Sequence, residues 1–421
     1  MPRLKLNATK HDFINLVSLT TIQVSNAVSP LIIYPLLLAV VGPHGYANVA
    51  LAEALSLFLL TVVLYSFEID GVVAVVGLDL ERDNTLISRV YTEVVVVRVG
   101  FYVVGLTLLE LIAFFTNREL ILLALAWSLV SLAYAIQPNW LYQGLERNLP
   151  LAITTLCSRV GAVVAVILTV RGPSDFIWAP LAIGIAYLVG GLAAAGFALW
   201  RFRLRPIFPP PIVVWRHIWV GKEIFLGNLG VSLYRDINVL LLGAFGVPSA
   251  GIAAYSLAEK LVKVIQASIR PLNQLFFPRA LALSKAAQVP GRLVFRRILM
   301  LTLPQLAIIV LVVACLMIGY LAYGSGLPAV KRIENASYVF HLTAFMSIAT
   351  FFGLANFMFG SAGLNALGAR GHLFVRILVT GVASVIGNLL LIPAFGPNGS
   401  AVCFVFAEMF LFVMICKRYY A

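Results

Sequence analysis

The chain is short of charged residues and of cysteine, and both shortages narrow its class. Only 11% of its 421 residues are charged, and just 17 of them are Asp or Glu. Soluble globular domains carry about 25% charged residues, so this composition excludes an ordinary soluble protein. The four cysteines form no Cys-x-x-Cys pair, which argues against a disulfide framework and against a zinc site. We therefore expect no bound metal.

The sequence also lacks the short motifs that mark common catalytic and nucleotide sites. It contains no P-loop, no His-Glu-x-x-His, no Gly-x-Ser-x-Gly and no Gly-x-Gly-x-x-Gly that follows a strand. A metalloprotease, a serine hydrolase, a dinucleotide enzyme and an ATP-driven pump are therefore disfavoured. We predict that the protein is not an enzyme, has no catalytic residues and needs no cofactor.

Long apolar runs are what the chain has in abundance. Hydrophobic residues make up 61% of it, and the mean hydropathy is +0.99. A helix needs about 20 apolar residues to cross a bilayer, and the continuous character of the runs excludes a β-barrel. We predict an all-α polytopic membrane protein with about 12 transmembrane helices. The expected spans are 13–41, 46–75, 90–115, 120–141, 149–171, 176–200, 221–246, 250–277, 297–323, 336–362, 372–395 and 398–416.

Two segments about half a chain apart resemble each other. The stretch 36–55, LLLAVVGPHGYANVALAEAL, is echoed within 240–270. Each copy passes from Leu-Leu-Leu through a glycine, Gly42 or Gly246, into Ala-Glu-x-Leu. Such an echo is typical of a membrane protein built from two repeated units.

A hydrophilic stretch at the midpoint, 201–220, is rich in Pro and Arg. Its prolines oppose a continuous helix and favour a semi-rigid linker. Because the echo predicts a boundary at the same place, we expect two pseudo-symmetric six-helix lobes. The N-terminal lobe would comprise residues 1–200 and the C-terminal lobe residues 221–421, joined by this linker on the cytoplasmic side.

Basic residues are distributed unevenly between the two sides of the predicted membrane. With the N-terminus inside, the inside segments hold twenty Lys and Arg residues, and the outside loops hold only Arg118, Arg171, Lys331 and Arg332. The positive-inside rule then places both termini in the cytoplasm. Loops that face anionic membrane lipids explain the formal net charge of +13, and we expect no nucleic-acid partner.

Six basic residues fall inside the predicted spans. Facing lipid, each would cost at least about 2.5 kcal/mol and the six together roughly 15 kcal/mol, which rivals the stability of a whole domain. They must therefore face protein or a wet cavity, and a cationic central cavity implies an anionic substrate. The six candidate substrate-binding residues are Arg98, Arg159, Arg235, Lys260, Lys263 and Arg270.

Other roles remain open for some of these cations. Arg98 and Arg270 lie near span ends, where a long side chain can reach the membrane surface. Arg235 adjoins Asp236, but neighbours on a helix diverge by about 100° and are poorly placed to pair. Arg159 lies near the middle of its span with no acidic residue within a helical turn. Arg159 and Arg235 are therefore the strongest candidates for substrate contact.

Acidic residues inside the spans are candidates for binding a coupling proton or sodium ion. We single out Glu53, Glu259 and Asp236. Glu259 also lies four residues before Lys263, the favourable order for a helical ion pair, so a purely structural role is equally open. The sequence does not choose among these and the other acids in spans, which are Glu68, Asp70, Glu110 and Glu408.

Four stretches carry more specific patterns. They are YPLLLAVVGPHGYANVALAEAL at 34–55, PNWLYQGLERN at 138–148, INVLLLGAFGVPSAGIAAYSLAEKLVKV at 237–264 and PRALAL at 278–283. Together they resemble the polysaccharide flippases, which translocate O-antigen and exopolysaccharide repeat units and belong to the multidrug/oligosaccharidyl-lipid/polysaccharide exporter superfamily. The resemblance covers nearly the whole chain. It departs at Asp70-Gly71, where such proteins often place an aromatic residue between Asp and Gly.

This resemblance implies a two-lobed transporter that works by alternating access in the bacterial inner membrane. The implied substrate is an undecaprenyl-pyrophosphate-linked oligosaccharide, moved from the cytoplasmic to the periplasmic leaflet. Implied partners are the polymerase and the chain-length regulator of the polysaccharide pathway.

Other functions remain open beside this one. An ion-coupled multidrug exporter of the same superfamily would be expected to have an acidic cavity, which the basic residues oppose. A lipid II flippase usually has two more spans than this chain can hold. A membrane polysaccharide polymerase or glycosyltransferase would be expected to carry a large outside loop, whereas the longest one here is 324–335.

Overall fold

The computed structural model describes residues 10–114, 118–287, 291–324 and 335–420, and the single positions 289, 326, 331 and 333. This described part consists of helices and short connections without a strand, which confirms the all-α prediction. The first half forms α1 (Lys10–Leu64), α2 (Phe67–Val75), α3 (Asn84–Phe114), α4 (Arg118–Ile136), α5 (Asn139–Gly144), α6 (Leu149–Thr169) and α7 (Trp178–Arg201). The second half forms α8 (Pro211–Arg235), α9 (Ile237–Ala244), α10 (Ser249–Ala287), α11 (Arg292–Gly319), α12 (Ala336–Met346), α13 (Ile348–Asn356), α14 (Arg370–Phe395) and α15 (Pro397–Tyr420).

Each predicted span coincides with one or two of these helices. Within the described residues, nine helical segments are long and apolar enough to cross a membrane. The first, Phe13–Val75, has 63 residues, which suffices for two crossings, and its backbone breaks at Gly42. Helices α8 and α10 fall outside the nine because polar and charged residues lower their hydropathy, although they coincide with spans 221–246 and 250–277. The multi-pass membrane fold is thus confirmed.

The connection between the halves is shorter than the predicted linker 201–220. Helix α8 begins at Pro211, because a proline is well tolerated in the first turn of a helix, where its missing N–H is not needed. The remaining connection, residues 202–210, is docked against α3, and we call it the strap. Its contacts are Arg205 N–H to Ser88 Oγ (3.1 Å), Ile207 N–H to Thr92 Oγ1 (3.0 Å) and Asn84 Nδ2 to the Phe202 carbonyl (2.8 Å).

The two echoed segments form similar turns. Gly42 and Gly246 have φ angles of 71° and 65°, a left-handed conformation that strongly favours glycine. The turns lie side by side, because His44 Nδ1 is 3.5 Å from Ser249 Oγ. The similarity in sequence therefore corresponds to a shared type of backbone turn at one end of the molecule.

The two halves pack against each other mainly along α1 and α10. A buried apolar cluster draws on both helices, with Leu37 on one and Tyr255 on the other. The interface continues just beyond the end of α1, where the ring of Tyr65 stacks on that of Phe225 in α8 with centroids 4.7 Å apart. Because lipid is as apolar as these side chains, close packing rather than exclusion of water holds such an interface together.

Candidate functional site

A small cavity lies inside the first half, between α1, α4 and α7. Its volume is about 190 Å³, and we call it the N-cavity. The lining is largely apolar but includes Tyr34, Tyr134, Tyr187 and the carboxylate of Glu53. A few polar groups placed in an apolar wall are typical of a ligand site.

Arg159, on α6, lies beside the N-cavity and is buried with 5% of its surface exposed. Its guanidinium donates to Asn26 Oδ1, Ser158 Oγ and Tyr134 OH, each at 2.9 Å. Its Cζ also lies 3.4 Å from the centroid of the Tyr187 ring, a cation–π contact. These partners are all neutral, so they position the cation without neutralising it. A guanidinium has five N–H donors, which leaves two beyond these three acceptors.

A larger cavity lies inside the second half. Its volume is about 460 Å³, its lining includes Arg235, Gln266 and Asn356, and we call it the C-cavity. Arg235 donates from Nε (2.9 Å) and Nη2 (2.5 Å) to Glu408 Oε1. Glu408 is fully buried, and its Oε2 accepts from Asn356 Nδ2 at 2.8 Å. As expected, Arg235 does not pair with the adjacent Asp236, and its charge is balanced by a residue on α15.

Lys260 and Glu53 form an ion pair between the two halves. The same carboxylate oxygen, Glu53 Oε1, also accepts from Tyr34 OH at 2.6 Å. The ammonium of Lys260 lies 4.7 Å from the centroid of the Tyr34 ring. The second carboxylate oxygen of Glu53 is buried and has no hydrogen-bond partner in the described chain. The interface between the halves therefore includes a buried charge pair that would have to break if they separated.

Lys263 is held entirely by acids of the second half. Its Nζ lies 2.5 Å from Glu259 Oε1, four residues earlier on α10, and 3.0 Å from Asp236 Oδ1. The predicted helical pair between Glu259 and Lys263 is confirmed. Two of the three candidates for ion coupling thus share one lysine, and this contact stays within the second half.

Arg98 does not reach the membrane surface, the alternative that the sequence left open for it. Its side chain is 1% exposed, and Nη2 lies 2.8 Å from Glu68 Oε1. Nη1 donates to the Tyr134 carbonyl at 3.4 Å. The side chain turns inward because a carboxylate partner on α2 is available there, which is more favourable than a long reach to the surface. The side chain of Arg270, the sixth candidate, lies outside the described residues.

The pairing changes the electrostatic character expected of the central region. Four of the five candidate cations whose side chains the structure describes contact a carboxylate, and Arg159 does not. The positive charge is therefore concentrated at Arg159 rather than spread over a uniformly cationic cavity. The sequence does carry a signal for Asn26, because it lies with Ser18, Ser25 and Ser29 on one face of the first span. Nothing in the sequence indicated that Tyr134 and Tyr187 would complete the Arg159 site, because they come from two other helices.

Solved structures of membrane transporters share this fold over most of the chain. The MATE multidrug transporter DinF-BH superposes with a TM-score of 0.59 at 15% identity, over 96% of this chain and 93% of that one. The lipid II flippase MurJ, in an inward closed conformation, gives a TM-score of 0.53 at 11% identity, over 94% of this chain and 86% of that one. The chain thus has the fold of a multi-pass membrane transporter.

A family model described as "Polysaccharide biosynthesis protein" matches residues 14–283, more than half of the chain. The chain belongs to this family, which confirms the family predicted from the four sequence stretches. A "Putative O-antigen transporter" of Escherichia coli (strain K12) is 22% identical over 288 residues, 67% of this chain and 68% of that protein. One of Shigella dysenteriae is 24% identical over 273 residues, 63% of this chain and 66% of that protein.

Proposed function

We propose that the protein moves an undecaprenyl-pyrophosphate-linked oligosaccharide, the repeat unit of O-antigen or a related surface polysaccharide, across the bacterial inner membrane. Both termini would lie in the cytoplasm, and the repeat unit would pass to the periplasmic leaflet for the pathway's polymerase and chain-length regulator. The family and the names of the curated relatives support this proposal. The observation that carries it is the Arg159 site, a buried cation that contacts no carboxylate in the described chain.

The chemistry of the N-cavity suits such a substrate. A guanidinium can donate two parallel hydrogen bonds to a phosphate, which makes it the preferred partner for a diphosphate group. Hydroxyl groups of tyrosines around it can bond to sugar hydroxyls, and their rings can pack against sugar rings. Arg159 would thus bind the charged link between lipid and sugar, and the tyrosines would bind the first sugars.

The size of the N-cavity requires a conformational change. Sites for drug-sized ligands measure about 300–1,000 Å³, whereas the N-cavity measures about 190 Å³. An oligosaccharide could enter only if the two halves moved apart, as alternating access requires. Six-helix lobes that rock against each other along α1 and α10 would provide this movement.

Glu53 is the strongest of the three candidates for ion coupling. Its contact with Lys260 joins the halves, whereas Glu259 and Asp236 bind Lys263 within one half. Protonation of Glu53 would remove the negative charge that holds Lys260 and would weaken the contact between the halves. We propose that a proton bound at Glu53 promotes their separation.

Transport in the host tests the substrate and the role of Arg159 together. The gene is deleted and complemented with wild type, with Arg159→Gln or with Arg297→Gln, an exposed control, and surface polysaccharide and the sidedness of lipid-linked repeat units are measured. At equal membrane levels, Arg159→Gln should reduce surface polymer about tenfold or more, because a charge-assisted hydrogen bond contributes about 1.5–3 kcal/mol. Repeat units should accumulate on the cytoplasmic face, and Arg297→Gln should restore polymer fully.

Two results would contradict this reading. Full rescue by Arg159→Gln would show that the buried cation is not needed for transport. Unchanged polymer in the deletion strain, together with new sensitivity to cationic drugs, would favour the multidrug exporter instead.

Cross-linking between the halves tests the coupling role of Glu53. His44→Cys and Ser249→Cys in a chain without its native cysteines place two thiols at the neighbouring turns. Adding Glu53→Gln should lower the rate of disulfide formation severalfold, since it removes the charge that holds Lys260. A rate unchanged by Glu53→Gln would show that this pair does not hold the halves together.

A further inference from the structure

A third cavity lies outside both central cavities, where the strap meets the connections that follow α2 and α5. Its volume is about 750 Å³, larger than either the N-cavity or the C-cavity. Asn84, Thr85 and Ser88 of α3 line one side with amide and hydroxyl groups. Four arginines also border this cavity, and we call it the arginine cleft. They are Arg147, Arg201, Arg203 and Arg205.

Buried and exposed residues alternate from Arg201, the last residue of α7, into the strap. Phe202 and Leu204 are buried in the apolar cluster around Trp140. Arg201, Arg203 and Arg205 alternate with them and are exposed. Three cations are thereby lined up on one side of a short segment.

The backbone of the strap is held in an unfavourable conformation at this point. Arg203 has a φ of 52°, in the left-handed region that a non-glycine residue rarely adopts. The bond from Arg205 N–H to Ser88 Oγ fixes the chain two residues later. Strained positions of this kind are enriched at binding sites, where the surrounding structure maintains them.

The charge in the cleft is only partly neutralised by its own acids. The ion pairs recorded in the described chain involve none of these four arginines. Asp79 and Glu81 also border the cleft, which leaves two net positive charges. Asp79 Oδ1 accepts the backbone N–H groups of Glu81 (2.9 Å) and Arg82 (3.0 Å), and these bonds hold the pKa of Asp79 below its usual range. The negative charge of Asp79 is therefore stabilised by backbone N–H groups of its own loop.

We propose that the arginine cleft binds a phosphate-bearing group at the membrane surface, in a site separate from the one that holds the transported substrate. Guanidinium groups bind phosphate oxygens in pairs of hydrogen bonds, and basic pockets between transmembrane helices suit anionic headgroups. Orientation of the protein in the membrane requires only that basic residues lie on one side. It does not require them to converge on a walled cavity with a strained strap, so the geometry points to one discrete ligand.

The phosphate could belong to a lipid headgroup or to a small soluble molecule, and two probes distinguish these sources. Purified full-length protein in neutral detergent is titrated calorimetrically with short-chain phosphatidylglycerol and with inorganic pyrophosphate. Arg201, Arg203 and Arg205 are replaced together by Gln. The control variant replaces Arg216, Arg296 and Arg297 by Gln, which removes the same charge from exposed positions outside the cleft.

Binding of either probe should weaken at least tenfold in the variant without Arg201, Arg203 and Arg205, and it should stay within about twofold in the control variant. Tight binding of the lipid alone identifies a headgroup site, and tight binding of pyrophosphate alone identifies a site for a soluble phosphate. Thr85→Trp, which places a bulky ring in the cleft and keeps all four arginines, should also weaken binding. The proposal fails if neither probe binds wild type, if both triple variants weaken equally, or if Thr85→Trp binds as wild type does.

Discussion

Arg235→Gln should destabilise the protein far more than the loss of an exposed arginine. Glu408 is 0% exposed, and two nitrogens of Arg235 donate to its Oε1. Removing one partner of a buried ion pair leaves an uncompensated charge, which costs about 3–5 kcal/mol. The free energy of unfolding in mixed detergent micelles, followed by circular dichroism, measures this loss. The exposed control Arg297→Gln should change it by no more than about 0.5 kcal/mol.

The double variant Arg235→Gln/Glu408→Gln separates the missing cation from the stranded carboxylate. With both charges removed, most of the lost stability should return, to within about 1–2 kcal/mol of wild type, because the new amides can still bond to each other and to Asn356. Equal instability of the single and double variants would refute the pairing argument, as would full stability of Arg235→Gln. A stable double variant that fails to transport would assign Arg235 a further role at the C-cavity.

Packing and hydrogen bonding in the first half give two further predictions, both measured as shifts in the free energy of unfolding. Gly71→Ala would bring a Cβ within 2.7 Å of the buried Trp140 ring and should cost about 1–3 kcal/mol, whereas Gly100→Ala meets nothing within 4 Å and should leave stability nearly unchanged. Tyr142→Phe removes the bond from its hydroxyl to the Ala194 carbonyl (2.7 Å) and should cost about 0.5–1.5 kcal/mol, the usual net contribution of one such hydrogen bond. Equal stability of the two alanine variants, or a neutral Tyr142→Phe, would contradict the respective argument.

Hydropathy along the chain was enough to predict the helices, because each span must bury its own backbone hydrogen bonds and present an apolar surface to lipid. The turns at Gly42 and Gly246 could also be predicted, because a left-handed backbone turn favours glycine at that position in the sequence. Helix α8 starts earlier than expected because Pro211 was taken as part of the linker, although proline suits a first helical turn equally well. All three features depend only on residues that are close together in the sequence.

Most of the charge pairing was decided by the tertiary structure. Arg235 and its partner Glu408 are 173 residues apart, and Lys260 and Glu53 are 207 apart. Only the local pair between Glu259 and Lys263 could be inferred, because one helical turn sets that distance.

The sequence by itself determined that several cations must lie inside the membrane away from lipid, since the cost of exposing them does not depend on the fold. It could not determine which of them would keep an unbalanced charge. That depends on which side chains of other helices surround each cation, and at Arg159 those side chains are an asparagine, a serine and two tyrosines. Contacts between helices that are distant in sequence thus surround Arg159 with neutral partners, and this distinguishes it from the other described candidate cations.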